Sequence, residues 1–110
     1  MNPKLYITRV IILSDKDGQA VVDAIGSALS DSGCNIVKSQ SHFFQPFGTT
    51  ASWILEESSC VVHTYPDHQK VFVTLETCDP SVDHQLFVDK TLQYLETNSM
   101  HRIALSEVFE

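Results

Sequence analysis

Four strand-like stretches follow one another between Cys34 and Thr77, joined by connections too short to hold a helix. They cover Cys34 to Phe44, Thr50 to Glu56, Cys60 to Tyr65 and Lys70 to Thr77. Pro46-Phe47-Gly48, the polar run Glu56-Glu57-Ser58-Ser59 and the turn Pro66-Asp67-His68 separate them. Parallel neighbours need a crossover of a dozen or more residues, so links this short demand antiparallel pairing.

The flanking segments supply a covering layer. Residues 4 to 13 read as a first strand, rich in β-branched side chains. From Asp17 to Ser32 the period becomes helical, with Val21, Ile25, Ala28 and Leu29 at i, i+4, i+7 and i+8. Gly33 stands where a helix C-terminal glycine belongs. Ser81 is the expected N-cap of a second helix reaching Leu95, with Val88, Leu92 and Leu95 on one face. Ile103 to Val108 is the expected last strand. The order β-α-β-β-β-β-α-β predicts an α+β two-layer sandwich, its mainly antiparallel sheet carrying two helices on one face. At 110 residues the chain fits a single domain over 1–110, with one core and one sheet face left for a ligand or partner.

Composition removes several classes of function. Seven basic against fourteen acidic residues give a net charge of -7, without a basic stripe, which argues against a nucleic-acid surface. No apolar run approaches the roughly 18 to 20 residues that span a bilayer. The N-terminal strand carries Arg9 in its middle and does not read as a signal peptide. Cys34, Cys60 and Cys78 form neither an even set nor a C-x-x-C pair. Reduced thiols in a cytoplasmic protein, with no metal site, are the expectation.

Chemistry-bearing residues gather between Ser41 and Asp79. A hydroxyl at a turn, Ser58, is followed five residues later by the imidazole of His63 and twenty later by the thiol of Cys78. Alternation puts Val61, His63 and Tyr65 on one face of their strand, and Thr74, Glu76 and Cys78 together on theirs. A turn serine, a strand histidine and a strand-end cysteine each have ordinary structural explanations. Spacing does not define a hydrolase triad, and no G-x-S-x-G elbow is present.

The same segments resemble the prokaryotic S-adenosylmethionine decarboxylase proenzymes. The family pattern runs roughly F-H-x-F-x-P-x-G-x-S, then E-S-H-x-S-I-H-T-W-P-E, then F-T-C-G. This chain matches it with His42, Phe44, Pro46, Gly48 and Thr50, then with Glu57, Ser58, His63, Thr64, Tyr65, Pro66 and Asp67, and finally with Thr77 and Cys78. The intervals agree without gaps over roughly residues 41 to 79.

The resemblance implies self-cleavage between Glu57 and Ser58 into a β chain, 1–57, and an α chain, 58–110. Ser58 Oγ attacks the Glu57 carbonyl, and elimination leaves a pyruvoyl group in place of Ser58. His63 is implied as the proton-transfer group of processing, with Thr50 at the position of an assisting serine. The pyruvoyl ketone condenses with a substrate α-amine and takes up the electrons released as CO₂ leaves. Cys78 matches the proton donor. Phe44 and Tyr65 are implied as stacking surfaces for the adenosyl group, and Asp67 as the ribose ligand. A homodimer with shared sites is implied too, as is a place in spermidine biosynthesis.

Ser59 stands where the family commonly has His, Val61 replaces a small hydroxyl residue, Asp67 is one methylene shorter than Glu, and Asp79 replaces Gly. These departures leave three readings: S-adenosylmethionine decarboxylation, pyruvoyl-dependent decarboxylation of another amino acid such as ornithine or arginine, and an unprocessed binding or regulatory module.

Overall fold

The computed structural model describes residues 4–109. Strand β1 (Leu5–Leu13) leads into helix α1 (Gly18–Asp31). Strands β2 (Ile36–Phe43), β3 (Thr49–Leu55), β4 (Ser58–Tyr65) and β5 (Lys70–Thr77) follow, with a single 3₁₀ turn at Pro66–His68. Helix α2 (His84–Tyr94) and strand β6 (Met100–Phe109) complete the chain. One sheet holds all six strands in the order β2-β3-β4-β5-β1-β6, and every pairing is antiparallel.

Alternation along the strands decides which face is covered. Val10 and Ile12 of β1, Ala51, Trp53 and Leu55 of β3, Cys60 and Val62 of β4, and Val71, Val73 and Leu75 of β5 join one core with Val21, Ala24, Ile25, Ala28 and Leu29 of α1 and Phe87, Val88 and Leu95 of the α2 region. Both helices therefore lie on the same face, as the order of elements predicts. The opposite face presents His63, Tyr65 and Ile54 to solvent. β2, an edge strand, is exposed almost throughout.

The two helix starts contrast. Asp17 caps α1 by accepting from the N–H of Ala20 at 2.8 Å, and Gly33 (φ 97°) takes the left-handed conformation that ends it. The second helix begins two residues later than Ser81 predicts. Asp79 accepts from both the N–H and the hydroxyl of Ser81, at 2.9 and 2.7 Å, which commits that side chain to a local turn. Asp83 is the N-cap instead, accepting from the N–H of Leu86 at 2.9 Å.

β4 also begins two residues earlier than expected. Leu55 pairs with Ser58, so only Glu56 and Glu57 form the loop, and Ser58 is a strand residue.

Candidate active site

The two-residue link between β3 and β4 requires an unusual backbone at Glu57, whose φ is 57°. For a residue with a Cβ this left-handed conformation costs about 1–2 kcal/mol. The turn is tied down from the side: Glu56 N–H donates to the Asn35 carbonyl at 3.1 Å, and Asn35 Nδ2 donates to Glu56 Oε2 at 3.0 Å. The strain thus falls on the residue that supplies the carbonyl next to Ser58.

Ser58 opens a cavity of about 440 Å³ shared with Cys34, Asn35, Glu56, Glu57, Cys78 and Asp79, among others. The β4–β5 register sets Ser58 opposite Thr77, so the next residue, Cys78, reaches back. Its N–H donates to Ser58 Oγ at 3.4 Å. The three thiols now separate by environment. Burial pushes Cys60 far above the ordinary thiol value, which removes it from proton transfer in the neutral range. Burial also raises Cys34, with the Ser32 hydroxyl partly opposing. Cys78 is exposed, at the mouth of the cavity that holds Ser58.

The cavity is acidic. Glu56, Glu57 and Asp79 line it, with no Lys or Arg among its walls. Hydrogen bonds from the Ser81 hydroxyl and N–H hold the Asp79 carboxyl below the usual carboxylate range, so it is anionic near neutrality.

A second cavity, of about 300 Å³, lies at the far end of β4. Phe44, Phe47, Thr50, His63, Tyr65 and Asp67 are among the residues around it. Thr50 Oγ1 and His63 Nδ1 are 3.0 Å apart, across the β3–β4 ladder where the two residues pair. Tyr65 packs edge-on against Phe72, with centroids 5.2 Å apart, and Phe44 meets the ring of His42 at 4.4 Å. Asp67 lies 3.7 Å from His68 Nε2, and both are exposed.

The residues singled out from sequence therefore fall into two groups. Glu57, Ser58 and Cys78 share one cavity; Phe44, Thr50, His63, Tyr65 and Asp67 share the other. Five residues of extended chain put His63 about 17 Å along the strand from Ser58, and on the opposite sheet face. Within one chain the imidazole does not reach the Ser58 hydroxyl.

Sequence reasoning passed over three site residues. Asn35 braces the β3–β4 turn, Glu56 receives that brace, and Asp79 adds a fixed negative charge. The departure of Asp79 from the family glycine was the available signal; Asn35 gave none, because its partner lies 21 residues away.

Comparison with known proteins places this geometry. A family model described as S-adenosylmethionine decarboxylase matches residues 11–106. The chain belongs to the S-adenosylmethionine decarboxylase family. Among curated relatives, S-adenosylmethionine decarboxylase proenzyme 2 of Bacillus cereus is 31% identical over 75 residues, covering 68% of this chain and 61% of the relative. The S-adenosylmethionine decarboxylase proenzyme of Thermotoga maritima is 28% identical over 83 residues, covering 76% and 64%. The chain thus spans about three fifths of the length of these relatives. The crystal structure of the adenosylmethionine decarboxylase from Aquifex aeolicus shares the fold, with a TM-score of 0.76 at 21% identity over 98% of this chain and 89% of that one.

Proposed function

We propose that this protein is a pyruvoyl-dependent S-adenosylmethionine decarboxylase that generates its own prosthetic group by cleavage between Glu57 and Ser58, and so supplies the aminopropyl donor for spermidine synthesis. The observation that carries the reading is the meeting of Ser58 Oγ and Cys78 in one cavity, directly after a left-handed Glu57. The relatives' designation as proenzymes supports it.

The residues fit the group they would form. Ser58 Oγ acts as nucleophile on the Glu57 carbonyl, giving an ester, and elimination then releases the Glu57 carboxylate. Hydrolysis of the remnant takes up one water and releases one ammonia, leaving a pyruvoyl group at residue 58. That group supplies a ketone that condenses with the substrate amine and accepts the electrons freed by loss of CO₂. Cys78, beside it, holds the proton for the substrate carbon. Phe44 and Tyr65 offer exposed aromatic faces to an adenine ring and a sulfonium cation, with Asp67 beside them for hydroxyls.

A single chain keeps these two sets apart, and its uncovered sheet face carries one of them. Because one chain cannot bring the two sets together, the working unit in this reading is a homodimer with shared sites, in which His63 and Thr50 of one copy serve Ser58 and Cys78 of the other. Among the described residues no helix is long and apolar enough to cross a membrane.

One observation favours a second reading. Asp79, Glu56 and Glu57 give the Ser58 cavity a negative lining that suits a basic amino acid such as ornithine or arginine as well as a sulfonium. Intact mass of the purified, denatured protein tests the cleavage. Fragments parting at Glu57, with the second lighter by one ammonia than residues 58–110, support it; a single species of 12.3 kDa after prolonged incubation overturns it. A decarboxylation assay across the candidate substrates then separates the two readings.

A further inference from the structure

Neither cavity accounts for His84. The first residue of α2, it is buried at 5% exposure, and both ring nitrogens are engaged. Nδ1 lies 2.5 Å from Thr8 Oγ1 and Nε2 lies 2.8 Å from Thr77 Oγ1, and both threonines are fully buried. A neutral imidazole has one donor and one acceptor nitrogen, and a threonine hydroxyl can play either part, so both tautomers complete the bridge. Tyr6 packs on the ring at 6.3 Å.

The position of this bridge gives it a consequence. Thr77 is the last residue of β5; it pairs with Tyr6 on one side and with Ser58 on the other. Directly after it the ladder ends, and Cys78 makes its contact with Ser58 Oγ. From there the chain runs through Asp79–Asp83 along one wall of the cavity, and Asp83 N–H closes it onto the Ser32 carbonyl at 3.0 Å. His84 then returns to the sheet and grips Thr77. Residues 78–83 thus form a loop fastened at its base by the His84–Thr77 contact.

We propose that His84 is a positioning residue: by holding Thr77 from below, it fixes the end of β5 so that Cys78 stands against Ser58. This rests on the pyruvoyl reading above. His84 itself touches neither substrate nor the reacting atoms; it acts through Thr77.

The test compares Thr77→Val, His84→Leu and His84→Gln with the wild-type chain and with Tyr94→Phe. Thr77→Val keeps shape while removing the hydroxyl, so it remains informative where His84→Leu fails to fold. His84→Gln keeps one donor and one acceptor. Tyr94→Phe loses the bond between the exposed Tyr94 and Asp31, neither of which lines the cavity, and serves as a control for general destabilisation. The first readout is the rate at which freshly made, folded proenzyme is cut, followed by intact mass. The second is the split between kcat and KM of the cut protein.

Thr77→Val and His84→Leu are expected to slow cleavage about tenfold or more, and to lower kcat by a similar factor with KM nearly unchanged. His84→Gln should recover part of both, and Tyr94→Phe should match wild type. Thr77→Val cutting and turning over at the wild-type rate, at equal folded fraction, overturns the positioning role and leaves the pyruvoyl reading standing. A wild-type chain that is never cut overturns both.

Discussion

Cys78 and Ser58, twenty residues apart, meet because Thr77 and Ser58 face each other across the β4–β5 ladder, and the N–H of Cys78 then lies 3.4 Å from Ser58 Oγ. This pairing makes the two residues separable in their roles. Ser58→Ala should leave an intact 12.3 kDa chain with no decarboxylation. Cys78→Ala should still be cut, more slowly, and should lose most of its turnover because no thiol stands ready to protonate the substrate carbon. Mass and CO₂ release on the same samples distinguish the outcomes, and a Cys78→Ala protein with full turnover removes the thiol from the chemistry.

His63 lies about 17 Å from Ser58 on the same strand, so shared sites predict complementation. His63→Ala alone should stay largely uncut, and Thr50→Val, which removes the partner of His63 Nδ1, should be cut about tenfold more slowly. Refolding His63→Ala together with Ser58→Ala should restore cutting of the His63→Ala chain, because the other copy contributes the imidazole. Mass spectrometry on tagged chains reads this directly. No cutting in the mixed sample, despite mixed dimers, would place the imidazole outside the processing step.

Gly18 shows how closely the first helix approaches the sheet. A Cβ there would lie 2.0 Å from Thr49 Oγ1 and 3.3 Å from Phe43 Cδ1. Thr49 has little freedom to retreat, being buried with its N–H donated to Thr64 Oγ1 at 2.8 Å. Gly18→Ala should therefore cost about 1–3 kcal/mol. Gly18→Ala with Thr49→Ala should regain part of that loss, as read from urea denaturation.

Burial holds the His84 imidazole below its ordinary value of 6.5, with the neighbouring Asp83 charge opposing. The unfolded chain consequently takes up a proton at higher pH than the folded one. The stabilisation is fully present above pH 6.5 and is lost as pH falls through the folded-state value. His84→Gln should be less stable than wild type at pH 7.5, and the gap should narrow at lower pH. A gap independent of pH would show that His84 does not titrate with unfolding.

Asp83 caps the helix that carries His84. Asp83→Ala should lower stability by about 1 kcal/mol, because the Leu86 N–H loses its acceptor. A melt unchanged from wild type would mean that water replaces the cap at no cost.

The strands and the first helix were legible because their signals are local. Asp17, the i, i+4 spacing of Val21 and Ile25, and Gly33 each act within a turn or two of themselves. Ser81 misled for a reason equally local: Asp79, two residues back, competes for the same hydroxyl. Long-range geometry was not legible in this way. Periodicity puts His63 on the correct face of β4, but the sequence reads Ser58 as a turn residue, and it is the two-residue extension of β4 that sets it on the other face, in a separate cavity. The bridge through His84 joins Thr77 to Thr8, 76 residues from the histidine, and no spacing rule links such a pair.

The sheet order gives cleavage at Glu57 a further consequence. The first piece would keep β1, α1, β2 and β3, the second β4, β5, α2 and β6, and β1 lies between β5 and β6. The pieces would be interleaved, joined along the β3–β4, β5–β1 and β1–β6 seams. Unfolding a cut molecule would then release two polypeptides, and recovery would become a second-order encounter whose yield depends on dilution. An uncut chain would need no such encounter between pieces, so a cut made after folding would spare the molecule that step.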